Sequence, residues 1–437
     1  MYRAISEELL RFIEKSPSCY HAIDNIKCEL LDAGFEELRE GEAWNLREGG
    51  QYVVLRNHSS IIAFKIPTKD FRGFQIVASH SDSPSFKIKE FADMDVEHHY
   101  TKLNVEKYGG MICAPWFDRP LSVAGKVMVK EGNAFHTKLC NIDKDLVLIP
   151  HLAIHMNREV NDGYAFNAQV DMLPLLGDET ANDSLMRMVA ESIGVKPEDI
   201  LGTDLFLYNR MKGTIWGAND EYISSPKLDN LQCAFASLKG FLKGSNRESV
   251  SVYTVFDNEE VGSGTKQGAA STFLLDVLTR INESLGRTHE QYLMALASSF
   301  MVSADNAHAV HPNQTGKADP TNRPYMNHGI VIKYNANQKY TTDSVSAAIF
   351  KSICDDAGVP YQSFTNRSDM LGGSTLGNLS NAQVSLNTVD IGLAQLAMHS
   401  PYETAGVRDT SYLIDALEAF YDSSIQETAS GEYVWIK

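Results

Sequence analysis

Hydrophobic residues along the chain recur at two spacings, which predict helices in some segments and strands in others. Residues 9–13 follow the spacing of an amphipathic helix, for which Ser6 is the expected N-cap. A second helix is predicted from about Ser18 to Ala33, and Gly34 is its expected C-terminal stop. Short apolar runs then predict three strands, at residues 52–55, 61–66 and 74–78.

The pattern changes in the middle of the chain. From about residue 86 to residue 216, helical spacing fades and short strand-like runs such as 123–129 dominate, separated by turn residues. Helical spacing returns after about Ser224 and predicts amphipathic helices at residues 231–242, 272–281 and 411–420. The length of 437 residues also favours two domains. We therefore predict one domain of residues 1–86 and 217–437 and, inserted into it, a β-rich domain of residues 87–216.

One stretch, residues 250–264, joins an apolar strand to an acidic turn. Residues 250–256 are β-branched and aromatic, as in a buried strand, and four polar residues follow at 257–260. The carboxyl end of a buried strand is where an α/β sheet usually binds its ligand. Glu259 and Glu260 are adjacent and point in different directions, so one could bind a metal while the other faces a bound water. Hydrolysis by metal-activated water needs that arrangement, whereas a solvated acidic turn is the alternative.

Potential ligands also follow other predicted strands. His80 follows the run 74–78, and Asp305 follows a run that ends at Ser303. Asp229 lies at the start of the helix predicted at 231–242, where simple N-capping is the ordinary expectation for a carboxylate.

Together these residues form a set of nitrogen and oxygen ligands without thiolates: His80, Asp229, Glu260, Asp305 and His399. Five such side chains suffice for two metal ions if one carboxylate bridges and water completes the coordination. The absence of cysteine from the set favours a catalytic site over a structural one. Glu259 is then a spare carboxylate beside the metals, and Asp82 is placed to hold the second ring nitrogen of His80.

Two further motifs have open interpretations. His151 and His155 are four residues apart in the segment HLAIH, a spacing that on a helix would place both on one face, as in zinc sites. A pair of structural histidines is the alternative. Lys333 is a lone basic residue in the apolar strand predicted at residues 330–334, where a surface position is the ordinary expectation.

Composition and charge narrow the class of protein. The chain has 39 basic and 56 acidic residues, a net charge of -17 and no basic run, which argues against nucleic acid or an anionic membrane as partner. Its six cysteines include no C-x-x-C pair, as expected for reduced thiols in a cytosol. The amino terminus reads as a charged amphipathic helix and not as a signal peptide, and no apolar stretch is long enough to cross a bilayer. We expect a cytoplasmic protein.

Six segments, in this order, resemble those of the aspartyl aminopeptidase family of cocatalytic zinc metallopeptidases. They are HSDSP, PKLDN, DNEEVGS, SADNAHAVHPN, VIKYN and AMHS, and they extend from His80 to Ser400. The segment HLAIH matches as well. DNEEVG alone is also similar to related dinuclear aminopeptidases, so the joint occurrence is what makes the resemblance specific.

The resemblance implies a doubly wound, mostly parallel α/β sheet with helices on both faces, interrupted by a β-rich dimerisation domain. It implies a metal-dependent aminopeptidase that hydrolyses peptides and binds two divalent metal ions as cofactors, expected to be zinc. One metal would be bound by His80, Asp229 and Asp305, and the second by Asp229, Glu260 and His399. Glu259 would be the general base, and Asp82 would orient His80.

The resemblance also carries expectations about assembly and specificity. Family members form tetrahedral dodecamers built from dimers, and a histidine of the HLAIH segment, for which we choose His155, contacts substrate in a neighbouring subunit's site. Lys333, with Tyr340 beside it, would select acidic amino-terminal residues. Some members prefer neutral residues such as leucine, which is the alternative here. Local departures are SGT after DNEEVG and Asn306 beside Asp305.

Two other classes of protein remain as alternatives. A deacylase or carboxypeptidase could use a similar dinuclear site, but it would need a cationic group for a free carboxylate. A scaffold protein that kept the fold without the chemistry would be expected to lack Glu259 or a metal ligand, and none of these residues is missing.

Overall fold

The computed structural model of the chain describes residues 2–437. Its α-helices are α1 (Tyr2–Glu14), α2 (Cys19–Asp32), α3 (Ala168–Asp171), α4 (Leu185–Ile193), α5 (Leu228–Lys243), α6 (Phe273–Ser284), α7 (His289–Ala297), α8 (Ser344–Asp356), α9 (Leu376–Ser380) and α10 (Asp409–Tyr421).

Its strands are β1 (Glu36–Leu38), β2 (Gln51–Arg56), β3 (Ser60–Lys65), β4 (Phe74–His80), β5 (Ser85–Val96), β6 (Tyr100–Tyr108), β7 (Leu121–Glu131), β8 (Ala134–Asn141), β9 (Leu175–Asp178), β10 (Ile200–Asn209), β11 (Thr214–Trp216), β12 (Tyr222–Ser225), β13 (Val250–Phe256), β14 (Phe300–Ala304), β15 (Ala307–His308), β16 (Ile330–Lys333), β17 (Tyr361–Phe364), β18 (Asn387–Gly392), β19 (Ala394–Leu396), β20 (Glu403–Gly406), β21 (Ser424–Ala429) and β22 (Glu432–Ile436).

A mixed sheet of nine strands, in the order β1-β2-β3-β13-β4-β14-β18-β16-β17, forms the centre of the fold. Its central strands β13, β4, β14 and β18 run parallel to one another. Alternate residues enter two cores: Tyr253 and Val255 pack with α1, α2, α5, α8 and α10, whereas Val252 packs with α6, α7 and α9. The predicted doubly wound, mostly parallel sheet with helices on both faces is therefore confirmed.

A second sheet is built from the chain between β4 and β11. Its strand order is β8-β7-β10-β5-β6-β9, and every pairing in it is antiparallel. It has its own apolar core, which includes Phe86, Trp116, Val123 and Leu205 and is covered on one side by α4. A smaller sheet, β11-β12-β20-β19-β15, and the hairpin β21-β22 complete the fold.

Most predicted elements match the structure, but two local expectations do not. Ser6 is not an N-cap, because α1 begins at Tyr2; Ser6 is buried inside the helix, where its hydroxyl donates to the carbonyl of Val407 at 3.0 Å. The segment from His151 to His155 is not helical and leads into exposed turns. No helix within residues 2–437 has the length and apolarity needed to cross a membrane.

Candidate metal centre

Three neighbouring strands of the nine-stranded sheet bring functional side chains to one edge. Parallel pairing aligns Phe256, the last residue of β13, with His80, the last residue of β4. Glu259 and Glu260 follow β13 in a tight turn, and Asp305 directly follows β14 on the other side of β4. Parallel strands end at the same edge of a sheet, so these polar residues converge where the buried apolar runs stop.

Asp229 and His399 reach the same place from outside the large sheet. Asp229 lies between β12 and the regular turns of α5, at a non-helical position with ψ 106. No backbone N–H of the described helix donates to its carboxylate, so the N-cap interpretation is wrong. Instead, Asp229 Oδ1 lies 3.6 Å from His80 Nε2, and Oδ2 lies 3.5 Å from His399 Nε2. His399 lies between β19 and β20 with a left-handed φ of 68.

The five predicted ligands form two groups of three that share Asp229. The first is His80, Asp229 and Asp305, and the second is Asp229, Glu260 and His399; within each group the ligand atoms lie within 4.8 Å of one another. His80 Nε2 lies 3.5 Å from Asp305 Oδ1, and His399 Nε2 lies 3.4 Å from Glu260 Oε2. A third group, His80, Glu259 and Glu260, overlaps them.

The chemistry of these oxygens fits a cation. Asp229 Oδ1 and Glu260 Oε1 are buried and have no hydrogen-bond donor within the described residues. Burying a carboxylate oxygen that accepts no hydrogen bond costs free energy unless a nearby positive charge compensates it. Burial and the charge of Asp229 raise the pKa of Glu260 well above its usual value. Although burial lowers the pKa of His399, the carboxylates of Asp229 and Glu260 outweigh it and raise that pKa to about 10. The site thus retains protons that a bound metal would displace.

Asp82 organises the turn that carries the two glutamates. Its carboxylate accepts the backbone N–H groups of Glu259 at 3.1 Å and Glu260 at 3.2 Å, and the hydroxyl of Tyr108 at 2.7 Å. The shortest contact of His80 Nδ1 is with the backbone carbonyl of Asp82 at 3.1 Å, and the Asp82 carboxylate is 3.4 Å away. Asp82 therefore contacts His80 through both its backbone and its side chain.

The loop after β6 contacts the other side of the site. His399 Nδ1 lies 2.9 Å from the carbonyl oxygen of Gly110, and the N–H of Ile112 donates to the carbonyl of His399 at 3.0 Å. Gly109 has a φ of 76, and a Cβ there would lie 3.2 Å from Glu260 Cβ. The second sheet and the metal centre are thus in direct contact.

Glu259 borders a cleft of about 140 Å³ beside the ligands. Within residues 2–437, no donor lies within hydrogen-bonding distance of its carboxylate, which leaves the oxygens free to face a water. Burial raises the pKa of Glu259 to about 8, and nearby carboxylates such as Asp305 add to this rise, although His80 opposes it. A divalent cation on the neighbouring ligands would lower the pKa again, since a positive charge favours the carboxylate.

Lys333 is buried in the same cleft, with 2% of its surface exposed, so the ordinary expectation of a surface lysine is wrong. Its ammonium donates to the carbonyl of Asn306 at 2.9 Å and lies 3.7 Å from Asp305 Oδ2. It also lies 5.4 Å from the centre of the buried Tyr340 ring. Asn306 Nδ2, which has two N–H groups, lies near three acceptors: Gln395 Oε1 at 2.7 Å, Gln232 Oε1 at 3.0 Å and Leu228 O at 3.3 Å.

The two histidines of the HLAIH segment lie apart from this cleft. His151 stacks on Phe117 with ring centres 3.9 Å apart, and its Nδ1 lies 2.6 Å from Asp118 Oδ2. His151 therefore has a structural setting. His155 is exposed in the following turn and does not line the cleft of its own chain.

Three residues that contact the centre were not predicted from the sequence. Tyr108 and Gly110 come from the second sheet region, and Glu403 accepts hydrogen bonds from the backbone of two ligand residues. The spacing of four residues between His399 and Glu403 was visible, but it indicates no role without the fold.

Comparison with known proteins gives a consistent result. A family model described as aminopeptidase I zinc metalloprotease (M18) matches residues 12–421. The chain is 47% identical over 425 residues to a "Probable M18 family aminopeptidase 2" of Clostridium acetobutylicum, with 95% of this chain and 98% of the relative covered. It is 38% identical over 431 residues to a protein of the same description from Ectopseudomonas mendocina, with 97% and 99% covered.

Solved structures give the same picture. A chain in the cryo-EM structure of the Ape4 and Nbr1 complex has a TM-score of 0.93 and 36% identity, with 96% of this chain and 86% of that chain covered. A chain of the S. cerevisiae mApe1 dodecamer has a TM-score of 0.85 and 27% identity, with 96% and 97% covered.

Proposed function

The chain belongs to the aminopeptidase I zinc metalloprotease family, M18, and is a metal-dependent aminopeptidase, and from that premise we propose a more specific function. The proposed reaction is the removal of acidic amino-terminal residues from peptides, and it uses two metal ions that the protein binds at the described cleft. The observation that carries this proposal is the pair of ligand groups joined by Asp229, next to a buried lysine.

The ligand set supports two ions. His80, Asp229 and Asp305 would bind one zinc, and Asp229, Glu260 and His399 the other, with Asp229 as the bridge. The unpartnered oxygens Asp229 Oδ1 and Glu260 Oε1 are then metal ligands. Bound zinc would supply a Lewis acid for the scissile carbonyl and lower the pKa of a water toward neutrality.

Glu259 is the proposed general base. It borders the cleft, its carboxylate has no competing donor within the described chain, and Asp82 fixes its backbone N–H at 3.1 Å. Glu259 takes the proton of the attacking water and later delivers it to the leaving amine. His80 is held at Nδ1 by Asp82, which leaves Nε2 directed at Asp229 and Asp305.

Lys333 is the proposed selector of the first side chain. An ammonium has three N–H donors, and one of them is used by the Asn306 carbonyl. The remaining donors can face Asp305 and a substrate carboxylate, with Tyr340 as a neighbouring wall. The second candidate, a preference for neutral residues, is favoured by the Asp305 carboxylate at 3.7 Å, which already neutralises Lys333, and by Phe364 in the cleft wall.

A substrate panel on the zinc-loaded protein separates these candidates. We expect kcat/KM to be highest for Asp and Glu derivatives, well above those of the matched amides Asn and Gln and of Leu. In Lys333→Met, kcat/KM for the acidic substrates should fall on the order of 10–10³-fold, because the substrate carboxylate would then be buried without an opposite charge. Leu preference in the wild type, with an unchanged Asp-to-Asn ratio in the variant, would support the neutral candidate.

We propose further that residues 87–216 form a dimerisation domain and that His155 completes a neighbouring subunit's site. Leu152, Ile154 and Met156 flank it with 54%, 47% and 69% of their surfaces exposed, which suits burial against another chain. The dodecamer of the related mApe1 supports a larger assembly of such dimers, with tetrahedral symmetry as the proposed form. Six free thiols and the absence of a spanning helix in residues 2–437 are in keeping with the proposed cytoplasmic location.

A further inference from the structure

Glu403, the first residue of β20, connects two segments that carry proposed metal ligands. It is buried, with 2% of its surface exposed. Its Oε2 accepts the backbone N–H of Asp229 at 2.9 Å, and its Oε1 accepts the backbone N–H of His399 at 2.8 Å. One carboxylate thus fixes the main chain at both ligands, although Asp229 is 174 positions away in the sequence.

Regular secondary structure does not fix either of these ligand residues. Asp229 has φ -82 and ψ 106 just before the helical turns of α5, and His399 has a φ of 68 in the turn between β19 and β20. Left-handed backbone is unfavourable for a residue with a Cβ, so the surrounding contacts must hold His399 there. The two hydrogen bonds that Glu403 accepts are such contacts, because they fix the backbone N–H groups of both ligand residues.

A chain of buried amides extends from Glu403 to a third ligand segment. Gln395 Nε2 lies 3.5 Å from Glu403 Oε1, a long contact. Gln395 Oε1 accepts from Asn306 Nδ2 at 2.7 Å, and Asn306 directly follows Asp305. The lining of the cleft beside Glu259 does not include Glu403, which lines a separate cavity together with Asp82 and Asp229.

We propose that Glu403 is a positioning residue for the metal centre, setting the separation of Asp229 and His399. This inference rests on the proposed two-metal site. Both ligands belong to the group Asp229, Glu260 and His399, whereas the group His80, Asp229 and Asp305 contains only one of them. Loss of Glu403 therefore weakens the second metal more than the first.

The test is Glu403→Gln in the full-length protein, with zinc affinity measured by competition with a chromophoric chelator. A glutamine amide keeps one acceptor oxygen but turns an NH₂ group toward the other backbone N–H, so one hydrogen bond is lost. Partners of metal ligands typically contribute about 10–100-fold to metal affinity. We expect the dissociation constant of the weaker-bound zinc to rise by that factor, with a smaller change for the other. Glu403→Asp, which is one methylene too short to reach both N–H groups, should show the same order of effects.

Asp409→Asn is the matched control. Asp409 is also a fully buried carboxylate that accepts two backbone N–H groups, those of Asn327 at 2.6 Å and Gly329 at 3.0 Å, but it contacts no proposed ligand. It should lower the Tm of the metal-free protein and leave both zinc constants unchanged. If all zinc constants of the Glu403 variants equal those of the wild type, or if Asp409→Asn weakens zinc equally, the positioning role is overturned.

The outcome also separates this inference from the proposed function. Wild-type protein that binds fewer than two zinc ions, or Asp229→Ala that still binds two, would overturn the two-metal site and the role of Glu403 with it. Two zinc ions in the wild type, lost in Asp229→Ala but bound normally by both Glu403 variants, would overturn the role of Glu403 alone.

Discussion

The metal cleft and the turn that carries His155 differ in how completely their own chain surrounds them. In the cleft, His80 and His399 each have both ring nitrogens near an oxygen of the same chain. In the turn, His155 is exposed, and so are the apolar side chains of Ile154 and Met156 beside it. A cleft supported by its own chain is organised before any partner arrives, whereas an exposed apolar turn gains its contacts from another surface.

This difference suggests a division of labour. Under the proposed function, residues of one chain would bind the metals and hold the base, and the turn would supply His155 to the site of a second copy. The following substitutions test each half of that comparison.

Asp229→Ala has the largest expected effect. One carboxylate contacts both histidines, so its loss should remove metal from both positions and reduce turnover to background. Metal analysis of the purified variant is the measurement. A residue that merely caps α5 would cost roughly 1 kcal/mol of stability and leave the metal content intact, which would contradict the bridge.

Glu259→Gln should leave both metals bound and slow turnover. The amide keeps the size of the side chain but cannot accept the proton of water, and general-base catalysis contributes about 10²–10⁴-fold. Steady-state kinetics and metal analysis measure the two effects separately. The neighbouring variant Glu260→Gln is the matched comparison, because it should weaken metal binding. Metal loss from Glu259→Gln would make Glu259 a ligand, as its contact group with His80 and Glu260 allows.

His155→Ala tests the other region. If His155 stabilises the developing charge on a substrate carbonyl in a neighbouring subunit, its loss should reduce kcat on the order of 10²–10³-fold without loss of metal. His151→Ala is the comparison, since His151 is held against Phe117 and Asp118 and should act through stability.

Mixing two inactive variants shows which chain His155 serves. When Glu259→Gln and His155→Ala subunits are dissociated and reassembled together, a mixed dimer has one site with an intact Glu259 and the partner's intact His155. Activity should recover toward roughly a quarter of wild type if pairing is random and each intact site works independently at its normal rate. No recovery, with subunit exchange confirmed, would return His155 to its own subunit's site or to a structural role.

The last prediction concerns the pH dependence of metal binding. In the metal-free centre, carboxylates raise the pKa of His399 to about 10 and raise that of His80 as well. Metal binds the neutral imidazole and therefore displaces protons at every pH below these values. Apparent zinc affinity should rise with pH by about tenfold per unit for each proton displaced. Calorimetry in buffers of different ionisation enthalpy counts those protons, and a pH-independent affinity between pH 6 and 9 would contradict the prediction.

The sequence predicted those features of the site that depend on local order along the chain. His80, Glu259, Glu260 and Asp305 follow apolar runs that become buried strands, so their convergence at one sheet edge could be expected. The same spacing could not decide between a capping and a bridging Asp229. That choice depends on the approach of His80 and His399, which are distant in the sequence.

Other features depend on contacts that no spacing encodes. Lys333 is buried because the Asn306 carbonyl and Asp305 compensate its charge. Glu403 reaches Asp229 only through the smaller sheet, where Ser225 pairs with Glu403 three residues before the start of α5. The prediction of Ser6 as an N-cap was wrong because the helix continues upstream through Tyr2 and Arg3, and the apolar spacing did not include those residues.

The most direct measurement is an anomalous difference map at the zinc edge from crystals of the zinc-loaded protein. We predict two peaks about 3.5–4 Å apart, as in two-metal hydrolases. Both should contact Asp229, one with His80 and Asp305 and the other with Glu260 and His399. A single peak, or two peaks that do not share Asp229, would contradict the two-metal centre.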